Sequence, residues 1–209
     1  SSGSSGKPTF WLRDDGDEER GGQMHERIFR DIFQIKKTDP TLVIVCFSMG
    51  VWIAGNYTLA ACRYVAHRGY ALTTITPGIE KADILHILKD MVPNFKNVII
   101  AGYPPFLMDV FQEAQRKHIP LSKRIKVLTA GDKFSENWRE DAAELLKIKN
   151  PYESIINIYG CADAGMLGLE TPLSVFLRKS AQRNKKLYKE LFAEAKTLPG
   201  LFQYQPNHV

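Results

Sequence analysis

Two spacings of apolar residues alternate along this chain. Short runs of consecutive, often β-branched apolar residues are separated by longer segments in which apolar residues recur every three or four positions. The short runs are typical of strands that are buried on both faces, and the longer segments are typical of amphipathic helices. Five runs are predicted to be strands: TLVIVCF (41–47), YALTTI (70–75), NVIIAG (97–102), RIKVLTAG (124–131) and SIINIYG (154–160).

The segments around these strands carry the signals with which helices begin and end. Carboxylates open the first segment, a proline opens the one at 105–118, and Ser135 caps another, as is usual at helix N-termini. Pro199 and Gly200 end a basic amphipathic segment near the end of the chain. Six segments are predicted to be helices: 17–37, 49–69, 80–91, 105–118, 135–148 and 173–196.

Strands that alternate with helices so regularly predict an α/β fold. We expect a mostly parallel sheet of about five strands with helices on both faces, followed by a C-terminal basic helix. Because neither an internal repeat nor a Pro-rich linker divides the chain, residues 1–209 are predicted to form a single domain. Ligands bind such sheets at the carboxyl ends of the strands. Four loops lie there: CFSMG (46–50), AGYPPF (101–106), TAGDK (129–133) and YGCADAG (159–165).

Composition and charge exclude several classes of protein. The 209 residues carry a formal net charge of +5, and their basic residues form no aromatic-interleaved platform for nucleic acid. Three scattered cysteines without CxxC spacing argue against a zinc site or a disulfide framework and indicate a reducing compartment. The longest apolar segment, LVIVCFSMGVWIAG, is too short to cross a bilayer. We therefore expect a cytoplasmic protein that binds neither nucleic acid nor membranes.

The opening segment, SSGSSGKPT, has two interpretations. Ser/Gly repeats are the usual composition of flexible linkers and tags. Glycine backbone amides, serine hydroxyls and the ammonium group of Lys7 could instead hold phosphate. A Walker-type loop is excluded, because the glycines are too closely spaced and Pro8 stands where Ser or Thr is required.

Three further loops carry candidate chemistry. Ser48 follows a strand as in the nucleophile elbow of serine hydrolases, with Asp132 and His208 as acid and base, although Cys46 replaces the first glycine of that elbow. Tyr159 could stack on a planar base, and Asp163 could hold Mg²⁺ or be an ordinary turn residue.

In chain order, these loops resemble the motifs of the adenylate-forming (acyl-activating) superfamily, specifically enzymes like phenylacetate–coenzyme A ligase. SSGSSGKPT resembles the phosphate loop of that superfamily, and IYGCADAG resembles its Tyr-Gly-x-x-Glu motif. CFSMGVWIAGNYT is similar to the acyl-pocket segment, and TAGDKFSENWRED is similar to the adenine loop and its helix. The resemblance runs from Ser1 to about Gly168.

The resemblance implies that a small carboxylic acid and ATP·Mg²⁺ form an acyl-adenylate and pyrophosphate, and that the acyl group then passes to coenzyme A or another thiol. It implies catalytic roles for Lys7, on the phosphates, and for Asp163, as the Mg²⁺ ligand. The nucleotide-binding residues that it implies are Ser1, Ser2, Gly3, Ser4, Ser5, Gly6, Gly131, Asp132, Tyr159 and Gly160. The implied acyl-pocket residues are Gly50, Trp52, Gly55 and Tyr103.

Several departures from the family pattern qualify this expectation. Asp163 stands where the family has Glu, and Ala162 stands where it has Ser or Thr. A downstream ribose-binding acid and a lysine-bearing C-terminal domain are not found after residue 170, so we expect a piece of the large adenylate-forming domain that is inactive alone. A homodimer stays open, and the alternatives to a ligase are a serine hydrolase using Ser48 and a non-catalytic nucleotide-binding domain.

Overall fold

The computed structural model describes residues 6–7, 14–121, 124–162, 164–193 and 195–204. The helices are α1 (Asp15–Arg27), α2 (Ile53–His67), α3 (Lys81–Asp90), α4 (Pro104–Arg116), α5 (Glu136–Leu145), α6 (Pro172–Arg183) and α7 (Lys185–Phe192). The strands are β1 (Thr41–Cys46), β2 (Leu72–Ile75), β3 (Asn97–Gly102), β4 (Ile125–Thr129), β5 (Ile155–Cys161), β6 (Gly165–Leu169) and β7 (Gln203–Tyr204). Among the described residues, the helices are all too short or too polar to span a lipid bilayer.

The strands form one sheet in the order β2-β1-β3-β4-β5-β6-β7. The first five strands of the chain run parallel to one another, whereas β6 and β7 are antiparallel additions at one edge. The predicted α/β fold with a mostly parallel sheet is confirmed. The sequence pattern missed β6 and β7, because β6 (GMLGL) is short and contains two glycines and β7 has two residues.

Both faces of the sheet are covered by helices, which explains the unbroken apolar runs of the strands. Along β1, Leu42, Ile44 and Cys46 pack with residues of α3, α4 and α5. Val43 and Val45 point to the opposite face and pack with α1 and α2. Because successive side chains of a strand point to opposite faces, a central strand with two covered faces has no polar positions to alternate with apolar ones.

Two of the predicted helices differ from those observed. The first predicted helix ends as α1 at Arg27, and the chain continues as a π-helical turn over Ile28–Ile32. The predicted single helix at 173–196 is two helices that meet at Asn184. The Asn184 side chain accepts hydrogen bonds from the backbone N–H groups of Lys186 (3.0 Å) and Leu187 (3.2 Å) and so starts a new helix.

Candidate functional site

An apolar cavity of about 180 Å³ lies at the carboxyl edge of the parallel strands. Its walls come from α1, α2, the segment after β1 and the ends of β4 and β5. The strand order places β1 in the interior of the sheet, between β2 and β3, so that the chain winds in opposite directions on either side of it. In α/β sheets, ligands bind at the carboxyl ends of the strands, near the point where the winding direction changes. The lining residues are His25, Phe47, Ile53, Ala54, Tyr57, Thr58, Leu128, Ala130, Gly131, Ile158, Gly160, Cys161, Ala162, Gly165 and Met166.

A second, more polar cleft of about 500 Å³ adjoins this cavity. Gly131, Ile158 and Gly160 line both spaces, so the ends of β4 and β5 form their common wall. The cleft is therefore placed to hold the polar part of a ligand whose apolar part enters the cavity. Its other lining residues are Asp132, Lys133, Asn157, Tyr159, Gly200 and Phe202.

His25 is a buried polar residue in the wall of the apolar cavity. Its Nδ1 lies 2.8 Å from the carbonyl oxygen of Gly21, and its Nε2 has no hydrogen-bond partner. Burial lowers the pKa of His25 from 6.5 to about 4, although the backbone hydrogen bond opposes this effect. The imidazole is therefore neutral at physiological pH.

A pair of glycines allows α1 to approach α2 closely enough to place His25 in this wall. A Cβ atom at Gly21 would overlap the ring and hydroxyl of Tyr57, and one at Gly22 would overlap the ring of Tyr64. Glycine normally weakens a helix interior by about 0.5–1 kcal/mol, so these two residues are tolerated for packing. The position of His25 in the cavity wall could not be predicted from its spacing, which is that of a core position.

The loop after β4 is held by hydrogen bonds on both sides of the cleft. Asp132 accepts hydrogen bonds from the hydroxyl of Tyr103 (3.3 Å) and from the backbone N–H of Lys133 (2.7 Å). Its own carbonyl oxygen accepts one from the side chain of Asn157 (3.1 Å). Partial burial and the Asp132 charge raise the pKa of Tyr103. Gly131 has a positive φ of 92°, a conformation that favours glycine.

A buried cluster of two arginines and two glutamates lies beneath this loop. Arg139 contacts Glu136 (2.9 Å) and both carboxylate oxygens of Glu170 (2.9 Å), and Arg178 contacts Glu136 (2.6 Å). Glu170 also accepts a hydrogen bond from the backbone N–H of Asn157 (2.9 Å). Because the charges balance, the cluster can be buried, and it connects α5, α6 and β5 under the cleft.

Tyr159 is 54% exposed and lies beside the cleft. Its ring centroid is 5.4 Å from that of Phe202, with an interplanar angle of 32°. Gly160 lies in β5 opposite β6, and it allows the two strands to pair closely, since a Cβ atom there would overlap the carbonyl oxygen of Gly165. Asp163, the predicted Mg²⁺ ligand, lies outside the described residues. Within the described ranges, no cluster of three or more His, Cys, Asp or Glu residues could hold a metal ion.

The structure does not bring all the predicted residues together. Gly131, Asp132, Tyr159 and Gly160 line the cleft. None of the four predicted acyl-pocket residues lines the apolar cavity. Trp52 is 58% exposed, and Gly55 is buried against Ser48 and Met49. Tyr103 contacts Asp132 beside the cleft, and Gly50 has a positive φ of 86°.

The predicted phosphate loop falls mostly outside the described part of the chain. Ser1, Ser2, Gly3, Ser4 and Ser5 are not described, whereas Gly6 and Lys7 are exposed. Their roles stay predictions.

The serine hydrolase hypothesis also gains no support from the described residues. Ser48 is half-buried, and its hydroxyl donates a long hydrogen bond of 3.5 Å to the carbonyl oxygen of Met49. The proposed acid, Asp132, contacts Tyr103 instead. The proposed base, His208, lies outside the described residues.

No protein-family model and no curated protein matches this chain. Several solved structures are similar to this chain. An open conformation of 2-hydroxyisobutyryl-CoA ligase, in complex with 2-HIB-AMP and CoA, superposes with a TM-score of 0.61 at 16% sequence identity, over 81% of this chain and 38% of that one. A natural red-emitting luciferase from Phrixothrix hirtus gives 0.57 at 17% identity, over 81% and 37%. The anthranilate CoA ligase AuaEII, in complex with anthranoyl-AMP, gives 0.56 at 10% identity, over 81% and 30%.

These similarities concern the fold. The chain spans between 30% and 38% of the length of these three proteins. The described α/β sheet and its helices therefore have the fold of the corresponding part of two CoA ligases and a luciferase.

Proposed function

We propose that this chain forms the acid- and nucleotide-binding part of an ATP-dependent ligase that activates a carboxylic acid. The acid and ATP would form an acyl-adenylate and pyrophosphate, and the acyl group would pass to a thiol such as coenzyme A. The observation that carries this proposal is the apolar cavity that shares a wall with a polar cleft at the carboxyl edge of the sheet. The fold shared with a ligase described in complex with 2-HIB-AMP and CoA supports it.

An acyl-adenylate is divided, like the cavity and the cleft together, into an apolar part and a polar part. The cavity of about 180 Å³ suits a small acyl group, and the cleft of about 500 Å³ suits an adenosine. The carboxyl carbon would then lie near Gly131 and Gly160, where the two spaces meet. An acyl group bound in the cavity would be held in one orientation toward the nucleotide, so that binding itself would lower the barrier to attack on the α-phosphorus.

The residues of the cleft have separate proposed tasks. Tyr159 would stack on the adenine, and Asp132 and the Gly131 backbone would border it. Lys7 and the serines and glycines before it would hold the β- and γ-phosphates. Asp163 would contribute to Mg²⁺ binding, which would supply charge neutralisation at the phosphates. Within this class of enzyme, we propose a small aryl acid as substrate, as in phenylacetate–coenzyme A ligase.

One sequence feature favours a second function, a non-catalytic nucleotide-binding domain. Ala162 lines the cavity and has no hydroxyl group that could donate a hydrogen bond to a phosphate or carboxylate oxygen. Loss of a hydrogen bond to a charged acceptor costs about 1.5–3 kcal/mol. Binding of the adenylate with slow chemistry would fit this alternative.

Binding of a stable acyl-adenylate analogue tests the proposal. We expect benzoyl-sulfamoyl-adenosine to bind this chain in isothermal titration calorimetry, and Tyr159→Ala to weaken that binding about 5- to 150-fold, since stacking on one base contributes about 1–3 kcal/mol. Phe176→Ala is the matched control, because Phe176 is 55% exposed and does not line the cleft. Failure of the analogue to bind, or equal weakening by both substitutions, would contradict the proposal.

A further inference from the structure

His25 is a buried polar residue in the wall of a largely apolar cavity. A carbonyl oxygen accepts hydrogen bonds and cannot donate them, so the 2.8 Å contact with the Gly21 oxygen requires a hydrogen on Nδ1 of His25. In a neutral imidazole the other nitrogen, Nε2, then carries a lone pair and no hydrogen. This nitrogen has no partner among the described residues.

The surroundings of His25 do not supply the missing donor. The neighbouring rings are those of Phe29 and Tyr57, whose centroids lie 6.1 Å and 6.2 Å from that of His25 in edge-on arrangements. The side chain is 1% exposed, so bulk water does not reach it. A buried polar atom usually has a hydrogen-bond partner, and one that lacks a partner in a cavity wall can be paired by a ligand or an ordered water.

We infer that the ligand of this cavity carries a neutral O–H or N–H group that donates a hydrogen bond to Nε2 of His25. This inference rests on the proposed function and names its substrate class: a small carboxylic acid with a hydroxyl, amino or amide N–H group away from its carboxylate. A carbonyl or second carboxylate in that place would face the nitrogen lone pair and be repelled. A charged ammonium group would have to lose its water in an apolar space.

The size of the cavity limits the rest of the molecule. An apolar cavity of about 150 Å³ in a protein interior can hold benzene. The cavity beside His25, of about 180 Å³, therefore holds a single ring with one small substituent or an aliphatic chain of similar volume. His25 does not line the cleft, and so the donor group and the carboxylate of the acid would contact different walls.

Matched acyl-sulfamoyl-adenosines test the inference on the unaltered chain. The series contains benzoyl, the three monohydroxybenzoyl and the three monofluorobenzoyl compounds, because fluorine fills the place of the hydroxyl without donating a hydrogen bond. We expect at least one hydroxy compound to bind at least about tenfold more tightly than its fluoro counterpart, as pairing of a buried polar atom predicts. Equal binding of every hydroxy and fluoro pair would overturn the inference and leave the proposed function standing. Failure of the whole series to bind would instead overturn the proposed function.

Variants locate the effect at His25. His25→Leu should remove the preference for the hydroxy compound. Thr58 is another polar residue of the same wall, and Thr58→Val should retain the preference. His25→Gln keeps an acceptor and should retain part of the preference. Retention of the full preference in His25→Leu would overturn the assignment.

A thiol at the same cavity supplies a readout that does not involve the nucleotide. Cys161 is exposed and lines the cavity, whereas Cys46 and Cys62 are buried. Phenol should protect Cys161 from iodoacetamide at a concentration at least about tenfold lower than fluorobenzene does. Equal protection by the two would count against a donor group at His25, whether or not the chain binds nucleotides.

Discussion

Removal of one arginine from the buried charge cluster should destabilise the fold strongly. Arg139 is 1% exposed, and its guanidinium group contacts Glu136, Glu170 and the carbonyl oxygen of Ile155. The substitution Arg139→Met keeps most of the apolar length of the side chain and removes its charge. Arg178 would then face two buried glutamates alone.

The magnitude follows from the environment of these glutamates. Glu136 and Glu170 are each 1% exposed, so neither can regain its lost hydrogen bonds from water. Breaking a buried pair by removal of one partner costs about 3–5 kcal/mol, because the remaining charge is uncompensated. We expect a loss of this size in the free energy of unfolding. The double variant Arg139→Met/Glu170→Met restores charge balance, and its loss should be about 1–3 kcal/mol smaller than the sum of the single losses.

Urea denaturation followed by tryptophan fluorescence measures these losses, because the Trp138 ring packs 4.5 Å from that of Phe134 beside the cluster. Lys81→Met is the control, since Lys81 forms an exposed ion pair with Asp109 and should lose less than about 1 kcal/mol. The reasoning is refuted if Arg139→Met changes the free energy of unfolding as little as Lys81→Met does.

Two further predictions concern the cavity walls. Gly160→Ala should destabilise the fold and abolish analogue binding, because its Cβ would overlap the Gly165 carbonyl oxygen. Gly16→Ala in α1 is the control: its Cβ would meet only the side chains of Asp14 (3.2 Å) and Arg20 (3.3 Å), so we expect a change of less than about 1 kcal/mol. Equal melting temperatures of the two variants would contradict this prediction. Because of His25 alone, the free energy of unfolding should fall by roughly 3 kcal/mol between pH 6.5 and pH 4. The pKa of His25 is about 4 in the folded chain and 6.5 in the unfolded chain, so the unfolded chain takes up the proton first as the pH falls. Each pH unit between these two values contributes about 1.36 kcal/mol. Urea titrations at several pH values should give a smaller decrease for His25→Leu, and an identical pH dependence of the two proteins would refute the assignment.

The alternation of apolar runs and amphipathic segments was sufficient to predict the class of fold. The five predicted runs became the five parallel strands, and the interior strands β1 and β3 are almost wholly apolar because both of their faces are buried. The Tyr159 and Gly131 loops were correctly expected at the carboxyl edge, since that edge follows from the alternation of strands and helices. These conclusions depend on local pattern and on topology, which are both encoded in short stretches of chain.

The residues that form the apolar cavity could be identified only from the packed structure. The residues expected to form the acyl pocket, Gly50, Trp52, Gly55 and Tyr103, do not line the apolar cavity. His25 looked like an ordinary core position, because a spacing pattern records which face a residue occupies and not which of its atoms lack a partner. The unpaired Nε2 atom of His25 lies where α1, α2 and the ends of two strands meet, and these elements come from distant parts of the chain. A cavity is space left between packed elements, so its position depends on the contacts of all of them together.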